Sequence, residues 1–170
     1  EARDTIVRDV SPVAGAQVVV ELLAVDDPVL AGKSLSGACL DGEDSAPVAE
    51  KPASGLLGCD AAEPVQEQLY SHLLRSLCPV TGQPDWASVW ISYRGPRLDR
   101  PALLGYILSF RQRQEFHEQC VERMFCDLMQ AAQPEFLQVQ ACYTRRGGLD
   151  ISPLRSTDKT ARPLPRLNRQ

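Results

Sequence analysis

The segment SLCPVTGQPDW, residues 76–86, sets a thiol, Cys78, and a carboxylate, Asp85, seven residues apart. Pro79, Gly82 and Pro84 demand a fixed, non-helical turn there, so sulfur and carboxyl are held in defined positions. A thiolate is a strong nucleophile, so a cysteine held in such a turn is a candidate for covalent catalysis. A lone cysteine is more often a small buried hydrophobe, and spacing by itself leaves that reading open for Cys78. Further on, FHEQC, residues 116–120, puts His117 and Glu118 side by side at a helix start, near the positive end of its dipole. His117 lies four residues before Val121, and so also suits a histidine resting over the core. Glu118, about 100° round the helix, is either a solvated first-turn carboxylate or an acceptor for two N–H donors of a guanine-like edge. YTRRGG, residues 143–148, sets Arg145 and Arg146 at the end of a strand before a glycine turn. Paired guanidinium groups in such a place are either solvated or hold phosphate.

The elements that must position these residues follow from periodicity. A strand is predicted over 65–74, and ASVWISY, residues 87–93, alternates Val89, Ile91 and Tyr93 with Ser88, Trp90 and Ser92. Asp99 is an N-cap, Pro101 fits a first turn, and Leu103, Tyr106, Ile107 and Phe110 recur at helical spacing to about residue 112. A second helix runs over about 115–132 with Val121, Phe125, Leu128 and Ala132 on one stripe, closed by Pro134. Residues 136–143 alternate as a strand, and a further short strand is expected over 149–151. Strand, strand, helix, helix, strand is an α+β order.

Upstream, residues 1–14 read as a short amphipathic helix through Ile6, Val7 and Val10 that stops before Pro12, and 16–25 (AQVVVELLAV) as a strand packed on both faces. Residues 28–62 carry Gly, Ser, Ala, Pro and Asp without period and are expected to be a linker or irregular excursion containing a domain boundary. Residues 158–170 mix basic residues with proline and read as a disordered tail.

The chain has 170 residues, 44% of them hydrophobic, and a net charge of -4, which suits one domain or one and a half and gives no electrostatic reason for binding nucleic acid or an anionic membrane. No apolar run reaches the roughly 20 residues of a membrane span, and the first 15 residues lack a signal-peptide layout, so a cytoplasmic protein is expected. Six cysteines without a C-x-x-C pair and only two histidines, His72 and His117, speak against a metal site. The cysteines are also too sparse for a disulfide scaffold. The expected partner is a small molecule.

Taken in order, SLCPVTGQPDW, FHEQCVERMFCDL and YTRRGGLDISPLRS resemble the QueF family of NADPH-dependent 7-cyano-7-deazaguanine reductases. The resemblance covers about residues 63–156, and residues 1–27 are similar to the end of the first half of the family's long, two-module form. It implies a tunnelling fold, an antiparallel sheet with two helices packed on one face, in a second module over 63–157. It implies Cys78 as nucleophile, Asp85 as proton donor, His117 as a catalytic helper and Glu118 as the anchor of a deazapurine substrate. By the same resemblance Arg145 and Arg146 contact the cofactor, NADPH, and copies of the chain associate, because tunnelling folds close their sheets into barrels. The implied reaction is reduction of a nitrile, preQ0, to an aminomethyl product, preQ1, in the biosynthesis of the tRNA modification queuosine, through a cysteine thioimidate. The family's lysine-bearing cofactor motif, E-[SL]-K-[SA]-x-K-[LY]-[YFW], is matched neither by AGKSLSGA nor by VAEKPASG. The chain is therefore expected to capture the nitrile without completing the reduction. Two other readings stand beside this one: a non-catalytic deazapurine-binding module in which Cys78 is idle, and a hydrolase that releases ammonia.

Overall fold

The computed structural model describes residues 1–170, which divide into two compact units, Glu1–Ala31 and Gly32–Gln170. In the first unit, helix α1 (Ala2–Ala14) continues through Pro12 and ends at Gly15, whose backbone lies in the left-handed region at φ 62°. The helix expected to stop before Pro12 thus runs a further three residues, through Ala14, at the cost of the amide hydrogen bond that proline cannot make. The strand expected over 16–25 is not formed. Val19, Leu22 and Val25 are exposed, and a strand without a neighbour to pair its amides has nothing to hold it.

The second unit is built on a five-stranded sheet in the order β1 (Ala38–Cys39), β2 (Cys59–Leu77), β3 (Pro84–Leu98), β4 (Phe136–Tyr143), β5 (Leu154–Ser156). All neighbours are antiparallel except the two-residue β1, which runs parallel to β2. Helices α2 (Arg100–Leu108) and α3 (His117–Ala132) cover one face, which makes the unit α+β with two helices on one side. Alternation assigns the faces: Val89, Ile91 and Tyr93 of β3 and Leu137, Val139 and Ala141 of β4 enter the core with Leu103, Tyr106, Ile107, Val121, Met124 and Leu128 of the helices. Fully burying each such side chain contributes about 1.5–3 kcal/mol. Asp99 caps α2 by accepting from Ala102 N–H at 3.0 Å, and Pro101 occupies the first turn, as its sequence predicts.

Three expectations differ from the structure. Of the two readings of 28–62, the free linker fails and the irregular excursion holds for 32–62: Leu40 is fully buried, its N–H donates to Tyr70 at 2.8 Å, Trp90 Nε1 donates to Ser36 carbonyl at 3.2 Å, and β2 already begins at Cys59. This segment is ordered by docking its amides on the sheet, and such docking needs no hydrophobic period. Residues 158–170 likewise return to the sheet face opposite the helices, with Leu164 N–H on Gln140 Oε1 at 2.8 Å and Leu167 buried. Finally, the last strand is Leu154–Ser156 instead of 149–151. The Ile151 and Pro153 carbonyls do accept from Tyr143 and Ala141, at 3.1 and 3.2 Å, but Pro153 has no N–H to return and the ladder is broken there.

Candidate active site

Cys78 begins the turn that joins β2 to β3. Its N–H donates to Gln83 carbonyl and its carbonyl accepts from Gly82 N–H, both at 2.8 Å, and Gly82 takes the left-handed φ of 69° that closes the loop. The turn folds back on its own sulfur: the Thr81 hydroxyl, then the Thr81 and Val80 N–H groups, donate to Cys78, and Arg146 adds a further donor. Against a small opposing desolvation these bring the thiol down to about 7. Burial instead pushes the Cys120 and Cys142 thiols up, so those two stay neutral.

Asp85 is the second residue of β3 and is 5% exposed. Its Oδ2 lies 3.1 Å from His117 Nε2, and its Oδ1 accepts from Arg146 Nη1. His117, the first residue of α3, lies flat on Tyr143, ring centroids 3.7 Å apart and planes 10° apart. Burial raises the Tyr143 phenol well above its ordinary value, so the ring beneath His117 is a neutral platform. The helix reaches this corner because its approach is pinned to β2. Leu77 N–H donates to Arg113 carbonyl at 2.7 Å, and Leu77 and Gln114 form a parallel bridge one residue before Cys78. Two residues on, buried Glu115 is gripped by Arg113 and by both nitrogens of the Arg123 fork, at 2.8 and 3.3 Å. Burial pushes the Glu115 carboxyl up, the two arginines more than offset it, and the net shift is downward.

Cys78, Asp85, His117, Glu118 and Arg146 therefore line one cavity of about 300 Å³, together with Pro79, Phe116, Thr144, Leu149 and Ile151. Arg145 is exposed and lies outside this lining, so the two adjacent arginines part company. Thr81, Phe116 and Tyr143 were not singled out by the sequence. Thr81 lay inside the quoted turn, and Phe116 stands 52% exposed at the cavity mouth beside the predicted pair, so neighbourhood was the available signal. No group of three or more His, Cys, Asp or Glu side chains converges as metal ligands, and no helix is long and apolar enough to cross a membrane.

Residues 84–162 match the family described as QueF-like protein. The match includes Asp85, His117, Glu118 and Arg146, and Cys78 stands just before it. Over 168 residues, 98% of its length, the chain is 55% identical to a Chromohalobacter salexigens protein named NADPH-dependent 7-cyano-7-deazaguanine reductase. A Bordetella avium protein of the same name is 54% identical over 162 residues. The chain spans 60% and 59% of the length of these relatives. Among solved structures, the apo form of an archaeosine synthase QueF-Like aligns with a TM-score of 0.48 at 20% identity, over 55% of this chain and 91% of that one.

Proposed function

We propose that the protein to which this chain belongs reduces the nitrile 7-cyano-7-deazaguanine (preQ0) to its aminomethyl product (preQ1), in queuosine biosynthesis, and that this chain performs the covalent capture. The observation that carries the reading is the convergence of a thiol at about 7 with Asp85, His117 and Glu118 on one cavity. About 300 Å³ is the small end of the range of ligand pockets and the size of a bicyclic base. Glu118 accepts the adjacent N–H donors of the deazaguanine edge, and Phe116, exposed at the mouth, stacks on its face. The nitrile is then set against Cys78, the proximity contribution to the rate.

The Cys78 thiolate adds to the nitrile carbon, a C–S bond forms, and one π pair of the C≡N bond moves to nitrogen. That nitrogen takes a proton from the Asp85–His117 pair, whose contact of 3.1 Å fixes the carboxyl and imidazole beside it. The product is a thioimidate joined to Cys78. Arg146 and the Thr81 turn keep the sulfur in its reactive form until the base arrives.

The relatives' shared name makes NADPH the reductant, and the residues present here do not fit it. The cavity is lined by one arginine, Arg146, already paired with Asp85, and by no lysine, and there is no Gly-rich phosphate loop. The groups that hold the cofactor are assigned to residues that the relatives have beyond the matched 60% of their length, and no hydride step is drawn through this chain. The α+β unit with two helices on one face supports a tunnelling fold, whose copies associate to close a barrel. Incubating the chain with preQ0 and measuring intact mass tests the proposal. An adduct of the mass of preQ0, mapped to Cys78, is expected. Binding of the base without an adduct would leave a deazapurine-binding module, and release of ammonia would make the protein a hydrolase.

A further inference from the structure

Arg146 occupies a place that a phosphate-binding arginine has no reason to occupy. It opens the turn Arg146–Gly147–Gly148–Leu149, in which Arg146 N–H donates to Leu149 carbonyl at 3.0 Å and Leu149 N–H returns a bond at 3.1 Å. Both central glycines have positive φ, 59° and 83°, so the reversal is tight and its first side chain is aimed back over the end of the sheet. The guanidinium then meets Asp85 Oδ1, sixty-one residues away, on the wall of the cavity that Cys78 also lines. Asp85 and Cys78 hold the Arg146 charge above its ordinary strength, with Asp85 the larger influence. Its neighbour Arg145 makes none of these contacts and lies outside the cavity lining.

We infer that Arg146 is a positioning residue for the nucleophile: its planar fork ties the Cys78 sulfur to the Asp85 carboxylate, cancelling the carboxylate's repulsion of a thiolate and fixing the two groups on either side of the bond that reacts. The inference rests on the capture role proposed for Cys78, and it separates the two arginines that the sequence grouped together. The groups facing Cys78 are few. They are Thr81 from its own turn, Asp85 from β3, His117 and Glu118 from α3, and Arg146 from the turn after β4. Of these, Arg146 is the one fixed cation. Removing it takes away a donor to sulfur and also leaves the Asp85 carboxylate, a like charge, without its partner. Lysine keeps the charge but has no fork to span two acceptors.

The test needs no substrate, so its failure is distinct from failure of the nitrile reading. Alkylation of the chain by iodoacetamide is followed across pH by peptide-resolved mass spectrometry, with exposed Cys39, Cys59 and Cys126 as internal references. In Arg146→Gln the Cys78 midpoint should rise by roughly half a unit, less than on loss of the Thr81 hydroxyl, so that the thiolate fraction at pH 7 falls about twofold while the reference cysteines do not change. Arg146→Lys should recover part of that shift, and it carries the test if the Gln variant fails to fold. In an Asp85→Asn background the effect of Arg146→Gln should shrink, because the bridged partner is gone. Binding of inorganic pyrophosphate is measured alongside. A Cys78 midpoint unchanged from wild type in Arg146→Gln overturns the inference, and if pyrophosphate affinity falls about tenfold at the same time, Arg146 belongs to a phosphate site instead.

Discussion

Thr81→Val is the sharpest probe of how the turn activates its cysteine. The hydroxyl is the largest of the influences that bring the Cys78 thiol to about 7, and valine preserves shape while deleting that donor. At pH 7 about half of the native thiol is ionised. Loss of the main donor should raise the midpoint by on the order of one unit and reduce the thiolate to about one tenth. The more basic thiolate is also the better nucleophile, by roughly threefold for one unit at a Brønsted slope of about 0.4–0.5. The two effects oppose each other. At pH 7 the variant should react about twofold more slowly with iodoacetamide, near pH 9.5 it should react about threefold faster, and the two profiles should cross at about pH 7.5. Thr81→Ser, which restores the hydroxyl, should return the profile to that of the native chain. A crossing is the mark of a shifted ionisation, which a merely disturbed turn would not produce. A profile that superposes on wild type, or one lowered equally at every pH with its midpoint still near 7, would refute the assignment of Thr81 as the thiolate's main donor.

Cys78→Ala should abolish the covalent adduct with preQ0 in intact-mass measurements, and an adduct that persists or moves to Cys120 or Cys142 would end the assignment of the nucleophile. Glu118→Gln keeps the shape of the acceptor and weakens one charged hydrogen bond, worth about 1.5–3 kcal/mol, so substrate affinity measured by titration calorimetry should fall about tenfold or more. Glu115→Gln should destabilise the chain by about 1–2 kcal/mol in urea unfolding at pH 7, a figure discounted because Arg123 is 41% exposed. Because the folded-state value of Glu115 lies below its ordinary one, that contribution is present at neutral pH and is lost as pH falls through the folded value, so the gap between wild type and variant should close below about pH 4. The chain incubated with preQ0 and NADPH should form the adduct without sustained loss of NADPH absorbance; continued oxidation at two NADPH per amine would place the cofactor site within these residues after all.

Much of this protein follows from local chemistry that the sequence carries on its face. The hairpin strands, both helices of the second unit, the Asp99 cap and the residue types of the site are set by alternation, by helical spacing and by proline and glycine at fixed offsets, all of which act over a few residues. The order of the elements is legible for the same reason. What the sequence could not decide is anything fixed by a partner distant along the chain. The stretch 16–25 has every local mark of a strand and forms none, because a strand exists only against a neighbour. Residues 32–62 and 158–170 have no period and are nonetheless laid on the sheet, because their amides and Leu40 and Leu167 find acceptors and burial there. The site shows the same division. Cys78, Asp85, His117 and Glu118 were named from their motifs, but the contact of Asp85 with His117 depends on the bridge of Leu77 to Gln114 and on the Glu115 grip that delivers the start of α3. Arg145 and Arg146 were indistinguishable as neighbours in sequence; a two-glycine turn sends one of them sixty-one residues back to Asp85, and only the tertiary structure, where such distant groups meet, could separate them.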